Sequence, residues 1–189
     1  MREIILIAHL SLDGFVADAN GDLSRFKPGE ENLAFVTEIA ASADTILSGR
    51  ITFELLDKYW AAAEKMAGAT GAQIAYSRWY NAAAKIVVSD SINDTQGGRI
   101  RILNGDIGRQ VLELKQSSGK SIVVFGSPTL SRQLMSDDLI DTYWLFFNPL
   151  FFGEGIPMFG RGIANLDVEL RESKRFPNEE LAVKYVRKK

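Results

Sequence analysis

Short, almost purely apolar segments rich in β-branched residues recur along this chain, and stretches with helical spacing separate most of them. The apolar segments are IILIAHL at residues 4–10, TIL at 45–47, KIVV at 85–88 and IVVF at 122–125. Continuous apolar runs of this length are typical of strands that are buried on both faces of a sheet. Strands that alternate with helices predict right-handed βαβ units and a mainly parallel sheet.

The C-terminal end follows a different pattern. DVELRESKRF and LAVKYVRKK alternate apolar and polar residues on either side of Pro177 and Asn178, which predicts an antiparallel hairpin. We find no internal repeat and no linker composition that would divide the chain. The prediction is therefore one α/β domain over residues 1–189. Its sheet is mixed and mostly parallel, with about eight strands and helices on its faces.

Composition narrows the classes of function. A net charge of −2 argues against a nucleic-acid-binding surface of the usual basic kind. The chain has no cysteine and one histidine, His9, so thiolate and clustered-histidine metal sites are excluded and we expect no metal. We expect His9 to make a strand-end contact rather than to act as a base. The apolar opening is shorter than the roughly 20 residues of a membrane span and lacks a signal-peptide cleavage site, so we expect a cytoplasmic protein.

Ligands of parallel sheets bind beyond the carboxyl ends of the strands, and the polar residues at these ends are therefore candidate ligand contacts. After TIL, Gly49 lets a phosphate approach the backbone, and Arg50 and Thr52 supply a charge and a hydroxyl. A glycine turn beside a surface arginine has the same sequence. After KIVV, Ser89 begins a Ser-Asp-Ser stretch, which is also typical of an ordinary turn.

The strand end after IVVF favours an anion site. Gly126 has no Cβ to block a pyrophosphate, and Pro128 suits the first turn of a helix. The amides of Ser127, Thr129 and Leu130, together with the helix dipole, would then face the anion. An ordinary corner between a strand and a helix is the alternative. Neither the Gly-x-Gly-x-x-Gly fingerprint after the first strand nor a P-loop motif is present.

Two loops add further candidates. SLDGFVA at 11–17 follows the first strand and holds one acid, Asp13. The loop at 148–159 is apolar and aromatic, so it either packs under another segment, lines a pocket or forms a subunit contact. The helical segment 61–81 is either a lid or a face of the core. The tryptophans could stack on a bound ring or belong to the core; they are Trp60, Trp79 and Trp144.

Taken together, these stretches resemble the dihydrofolate-reductase-like superfamily, and most of all its branch related to the C-terminal reductase domain of bacterial riboflavin biosynthesis. No single motif is specific, but the ordered set spans nearly the whole chain. The matching stretches are SLDGFVA (11–17), SGRITFE (48–54), VVSDS (87–91), VVFGSPTLSRQL (123–134), LIDTYWLFFNP (139–149) and GEGIPMF (153–159). The resemblance implies a three-layer αβα fold, a reduced nicotinamide cofactor, usually NADPH, and a homodimer.

The resemblance also implies roles for individual residues. Those at the adenosine-side phosphates are Gly49, Arg50 and Thr52, with Ser89 near the 2′-phosphate. Those around the pyrophosphate are Gly126, Ser127, Pro128, Thr129 and Leu130. Those beside the nicotinamide are Ala8 and the Asp13–Gly14 loop. Those on the substrate side are Phe15, Asn32, Phe35, Pro149, Phe152 and Gly153.

Two departures from the family pattern bear on the chemistry. Dihydrofolate reductases carry a carboxylate where this chain has Asn32, and an amide cannot hold a proton for transfer, which argues against dihydrofolate as the substrate. Asp13, or Glu31 through a water molecule, is therefore the candidate proton relay. Ser127 replaces the second glycine of the Gly-Gly corner, which fits the riboflavin-type branch better.

The leading hypothesis is an NADPH-dependent reductase of a small heterocycle, either pterin-like or ribosylaminopyrimidine-like. The protein would supply positioning and the exclusion of water. A catalytically weak paralogue that acts as a dimeric nucleotide-binding module is the alternative, and Asn32 is the residue that favours it. A structural dimer without a ligand is a third hypothesis. The candidate phosphate-binding residues at the strand ends argue against it. The sequence leaves the choice between NADPH and NADH open, with Arg50, Ser89 and Arg99 as candidate contacts of a 2′-phosphate.

Overall fold

The computed structural model describes residues 1–91, 100–160, 163 and 165–188, so Arg99 lies outside the described residues. Within them the chain forms ten strands and five α-helices. The strands are β1 (Ile4–Leu10), β2 (Phe15–Ala17), β3 (Ala43–Gly49), β4 (Ala84–Val88), β5 (Ile100–Leu103), β6 (Ser121–Phe125), β7 (Thr142–Phe147), β8 (Ile156–Pro157), β9 (Val168–Arg175) and β10 (Leu181–Arg187). The helices are α1 (Glu30–Ala40), α2 (Arg50–Trp60), α3 (Gly71–Ala82), α4 (Ile107–Gln116) and α5 (Pro128–Ser136), with a 3₁₀ turn at Ala63–Lys65.

One sheet of eight strands organises the molecule, in the order β5-β4-β3-β6-β1-β7-β10-β9. The strands from β5 to β7 in this order are parallel, whereas β10 is antiparallel to β7 and β9 is antiparallel to β10. β2 and β8 form a separate antiparallel pair. The predicted mixed, mostly parallel sheet that ends in an antiparallel hairpin is confirmed.

Helices cover both faces of this sheet. Alternate side chains of β1 point to opposite faces, so Leu6 packs in the cluster that includes α4 and α5, while Ile7 packs in the cluster of α1 and α3. Phe53 of α2 packs against Val87 and Ile100 on the α1 side. Burial on both faces explains why the parallel strands are continuously apolar, and the implied three-layer αβα fold is confirmed.

The segment 61–81 contributes a face of the core. Helix α3 packs beside α1, and its Tyr76 and Tyr80 are buried. Trp60 and Trp79 both lie against Tyr76, with ring centroids 4.3 and 5.4 Å away. These contacts favour the core interpretation of this segment and of both tryptophans.

The aromatic run near residue 145 is a central strand. β7 lies between β1 and β10, and its Trp144 and Phe146 are almost fully buried. Beyond the strand, Phe152 packs edge-on against Phe26, whereas Phe151 is 64% exposed. Most of these aromatic rings therefore pack inside the domain.

Within the described residues, none of the helices combines the length and the apolar character that a membrane crossing requires. The same residues contain no group of three or more His, Asp or Glu side chains that could hold a metal ion.

Candidate active site

The carboxyl ends of the parallel strands meet at one edge of the sheet, and β3 and β6 are neighbours there. The chain leaves β3 towards β4 on one side, whereas after β6 it crosses β1 to reach β7 on the other side. Adjacent strands whose connections diverge in this way leave a crevice between them, and α/β proteins bind ligands in such crevices.

Gly49 and Ser127 join the two strand ends at this crevice. The N–H of Gly49 donates to Oγ of Ser127 at 2.9 Å. A Cβ at position 49 would lie only 2.8 Å from the same oxygen, so the close approach requires glycine. Gly126 and Ser127 both have left-handed backbone conformations, with φ of 49° and 50°, which turns the chain sharply from β6 into α5.

Two helices start at this corner, and neither has a side-chain cap. Gly49 precedes α2 and Ser127 precedes α5, and neither of these two cap residues makes a side-chain hydrogen bond to the first turn of its own helix. The first helical bond of α5 runs from the Ser131 N–H to the Ser127 carbonyl, at 2.9 Å. The amides of Thr129 and Leu130 therefore stand at the open end of the helix, where an anion is favoured.

Charged and hydroxyl groups flank this corner. Arg50 makes an exposed ion pair with Glu54, at 3.0 and 3.1 Å, and Thr52 is half-buried. Exposed pairs of this kind contribute little to stability, so Arg50 can leave Glu54 for a stronger anion. Ser89 lies one strand further away, after β4, and its Oγ accepts the N–H of Ser91 at 3.1 Å.

The residues predicted to lie beside the nicotinamide belong to β1 and to the turn after it. The side chain of Ala8 is buried in the core on the α4–α5 side, so only its backbone could contact a ligand. Gly14 has φ of 83° in the turn that Ser11 closes by donating its N–H to the Phe15 carbonyl.

Asp13 ties this turn to the loop after β7. Its carboxylate accepts the N–H groups of Phe152 at 3.2 Å and Gly153 at 2.7 Å. Desolvation acts to raise the pKa of Asp13, but hydrogen bonds from Ser11, Gly153 and Phe152 outweigh it and lower the pKa. An exposed carboxyl that stays ionised and accepts two backbone N–H groups is well suited to anchoring a loop.

Glu31, the second candidate relay, is exposed near the start of α1. It lines a groove between α1 and α3, together with Ala34 and Ala72. The structure therefore does not bring Glu31 and Asp13 together.

Asn32 belongs to a buried polar cluster that we call the Glu180 cluster. Its members are His9, Asn32, Asn148 and Glu180. The carboxylate of Glu180 is fully buried. It accepts hydrogen bonds from Nδ2 of Asn32 at 2.6 Å and from Nδ2 of Asn148 at 3.2 Å. Nδ1 of His9 lies 2.7 Å from its Oε1. A carboxylate therefore does stand beside Asn32, although it comes from the residue just before β10 and not from α1.

The sequence could have predicted only part of the Glu180 cluster. Glu180 lies two residues before Ala182, a fully buried residue of β10, so the period of two places both side chains on the inward face. This alternation of buried and exposed positions is the sequence signal that could have identified Glu180 as a buried residue. The expected strand-end contact of His9 is present, and Glu180 is its partner.

The other substrate-side candidates come from separate elements. Phe15 pairs with Pro157 in the small β2–β8 sheet, and Phe35 is a core residue edge-on to Trp144 at 5.2 Å. Pro149 lines a cleft of about 420 Å³. The other residues of this cleft are Arg25, Lys27, Asn148, Leu150 and Asn178. Asn148 thus connects the cleft with the Glu180 cluster.

Comparison with known proteins identifies the family. Residues 2–181 match the RibD C-terminal domain model, and the chain belongs to this family, as the resemblance predicted. Uncharacterized protein YyaP of Bacillus subtilis (strain 168) is 29% identical over 158 residues, which cover 84% of this chain and 80% of YyaP.

Solved structures show the same fold. A protein assigned to riboflavin biosynthesis from Shewanella sp. PV-4 superposes with a TM-score of 0.75 and 20% identity over the whole of both chains. A dihydrofolate reductase from Enterococcus faecalis, complexed with NADP(H) and RAB-propyl, has a TM-score of 0.65 and 13% identity over 99% of this chain and 97% of its own.

Proposed function

We propose that this member of the RibD C-terminal domain family is an NADPH-dependent reductase of a small heterocycle, either pterin-like or ribosylaminopyrimidine-like. The family and the fold support an oxidoreductase. The specific cofactor and the substrate class are our proposal, and they rest on the geometry of the strand-end crevice.

The observation that carries the proposal is the convergence of two uncapped helix starts on one crevice. The open N–H groups of α2 and α5 meet where Gly49 donates to Ser127. One helix start favours one anion, and two adjacent starts suit the two phosphates of a dinucleotide. The open space around Gly126, where a Cβ would meet no atom within 4 Å, allows a pyrophosphate to approach the backbone.

The chain's residues fit this cofactor in the roles that the family resemblance assigns. The pyrophosphate would lie against residues 126–130. Arg50 and Thr52 would contact the adenosine-side phosphates, and Ser89 would lie near the 2′-phosphate. Ala8 and Gly14 would flank the nicotinamide, which supplies a hydride when it is bound. The fold would contribute orientation and the exclusion of water.

The substrate would lie on the α1 side of the nicotinamide. We propose that Asn32 and Phe35 of α1 line this side, together with Phe15 and the loop that includes Pro149, Phe152 and Gly153. The Asp13 carboxylate holds that loop closed over the turn after β1. Asp13 and Glu31 remain candidate proton relays.

A nucleotide-binding module with weak or absent turnover is the second candidate function. Asn32 favours it, because its amide is fixed to Glu180 and is too weak an acid to transfer a proton. Oxidation of NADPH in the presence of a heterocyclic substrate separates the two functions, since a binding module would hold the cofactor without consuming it.

The test is a titration of the protein with NADPH and, in parallel, with NADH, followed by energy transfer from tryptophan to nicotinamide. We expect saturable binding that prefers NADPH and weakens roughly tenfold in Arg50→Ala, since a phosphate contact is lost. Arg109→Ala is the matched control because Arg109 makes an equivalent exposed pair, with Glu113 on α4. Absence of binding at millimolar concentrations of either cofactor would overturn the proposal.

We also propose a homodimer, in line with the family resemblance, and no partner beyond the small-molecule ligands. Sedimentation equilibrium at micromolar protein concentration tests this, because the mass of the monomer is 20.9 kDa. The cytoplasmic location predicted from the sequence stays a prediction.

A further inference from the structure

Glu180 is a fully buried acid at the carboxyl end of the sheet. It lies outside the cofactor corner, by which we mean the strand ends and helix starts at Gly49 and Ser127. Burying a carboxylate costs several kcal/mol unless hydrogen bonds and a counter-charge compensate it. Two of its neighbours are neutral amides, from Asn32 and Asn148. Among the described residues, His9 is the one ionisable side chain within hydrogen-bond distance of this carboxylate.

The orientation of His9 is fixed from two sides. Nδ1 faces Glu180 at 2.7 Å, and the ring stacks on Phe146 with a centroid distance of 4.8 Å and an interplanar angle of 23°. The side chain is 28% exposed although its Nδ1 partner is fully buried. The accessible part of the ring is therefore the edge away from Glu180, which carries Nε2.

His9 also lies near the crevice, on β1, the strand next to β6. The pairing of β1 with β6 ends at Ile7 and Phe125, after which Gly126 donates its N–H to the Ile7 carbonyl and the chain turns into α5. His9 follows two residues later on β1, on the same sheet face as Ile7 and α1. It stands between the proposed cofactor corner and Asn32 of the proposed substrate side.

We propose that His9 is the proton donor of the reduction and that Glu180 is its positioning residue. This inference rests on the proposed reductase function. The substrate carbon would accept the hydride that a bound reduced nicotinamide supplies, and the electron pair of its double bond would move to the attached nitrogen or oxygen. That atom takes the proton from Nε2 of His9, so the Nε2–H bond breaks as the new N–H or O–H bond forms. His9 regains a proton from solvent through its exposed edge, while Glu180 keeps Nδ1–H in place.

The first experiment observes the imidazole directly, by ¹⁵N NMR of protein labelled at histidine. His9 is the only histidine, so no residue assignment is needed, and the couplings to the two ring C–H protons distinguish Nε2 from Nδ1. The probes are 7,8-dihydrofolate and 5-amino-6-(5-phosphoribosylamino)uracil, each added to protein saturated with oxidised NADP⁺ so that no turnover occurs. We expect one probe to shift the Nε2 resonance while Nδ1 remains bonded. Binding of a probe with no change at Nε2 would overturn the inference without the use of any variant.

The second experiment measures NADPH oxidation with the same two probes. We expect His9→Gln to lower kcat roughly 100-fold with little change in KM, which is the usual range for loss of a general acid. Glu180→Gln keeps the size of the side chain but removes its charge. It should lower kcat at least about tenfold with little change in KM, which a merely structural role would not predict.

The outcomes separate the inference from the function on which it rests. If His9→Gln retains the wild-type kcat, the inference fails and the reductase function stands. If Asp13→Asn or Glu31→Gln abolishes turnover while His9→Gln does not, the proton comes from that acid instead. If wild-type protein neither binds NADPH nor oxidises it with either probe, the reductase function fails, and the inference fails with it.

Discussion

At the scale of single residues, the space around Gly49, and not the backbone conformation of Gly49, is what excludes a larger residue from the cofactor corner. Gly49 has an extended backbone, with φ of −74°, that any residue can adopt, but its added Cβ would press on Ser127. We expect Gly49→Ala to weaken NADPH binding roughly tenfold, because either Ser127 Oγ must rotate away and lose the Gly49 hydrogen bond or the two strand ends must separate. The dissociation constant measured by tryptophan fluorescence checks this.

Gly29→Ala is the matched control. Gly29 precedes α1 with nearly the same backbone, φ −77° and ψ 172°, and an added Cβ there meets no atom within 4 Å. Equal NADPH affinity in the two variants would show that the contact between Gly49 and Ser127 does not shape the site.

Asp13 gives a pH-dependent prediction. Its pKa lies below the ordinary value of 3.8, because hydrogen bonds that favour the ionised form outweigh desolvation. A lowered pKa means that the closed loop binds fewer protons than the open one, so closure is complete above pH 3.8 and is lost as the pH falls through the lowered value. The hydrogen-exchange rates of the Phe152 and Gly153 amides, each divided by the intrinsic rate at the same pH, should show this loss of protection. In Asp13→Asn both amides should exchange faster at neutral pH, and unchanged protection there would contradict the anchoring role.

At the scale of elements, the small β2–β8 sheet joins the two loops that frame the proposed substrate side. Gly155, just before β8, packs so closely that an added Cβ would lie 2.3 Å from the carbonyl oxygen of Ala17. That oxygen belongs to the backbone and cannot move without displacing β2. We expect Gly155→Ala to lower the free energy of unfolding by about 1–3 kcal/mol, measured by urea denaturation.

Gly71→Ala provides the comparison, since an added Cβ at this first residue of α3 meets nothing within 4 Å. Replacing such a helical glycine usually stabilises a protein by about 0.4–1 kcal/mol. If both variants unfold at the same urea concentration, β2 and β8 adapt freely and the close contact at Gly155 carries no strain.

The elements themselves could largely be predicted from the sequence. Burial on two faces makes the parallel strands continuously apolar, and the period of two in β9 and β10 identifies the hairpin, since both signals are local. The Glu180 cluster could not be assembled in this way. Its members come from β1, α1, the end of β7 and the start of β10, and only the register of these elements brings them together. Segment 61–81 was ambiguous for a related reason, because helical spacing does not show which surface a helix covers.

At the scale of the whole molecule, the cofactor corner connects the two helical layers. Helix α2 lies on the α1 side of the sheet and α5 on the opposite side, yet both start at the crevice between β3 and β6. A ligand that bridges the two helix starts therefore contacts both layers, and unfolding of either layer must release it. Binding to the native state alone stabilises a protein by about 2.7 kcal/mol at 100 times the dissociation constant.

Thermal unfolding should report this coupling. For a domain of this size, 2.7 kcal/mol corresponds to a rise in Tm of about 5–10 °C, and we expect NADPH at 100 times its dissociation constant to produce such a rise in one cooperative transition. NADH at the same concentration should raise Tm less, because it lacks the 2′-phosphate that Ser89 and Arg50 are proposed to contact. Equal shifts would remove the preference for NADPH but keep the nucleotide site. A transition that splits in two would show that the ligand holds only one helical layer, which would contradict a site shared by α2 and α5.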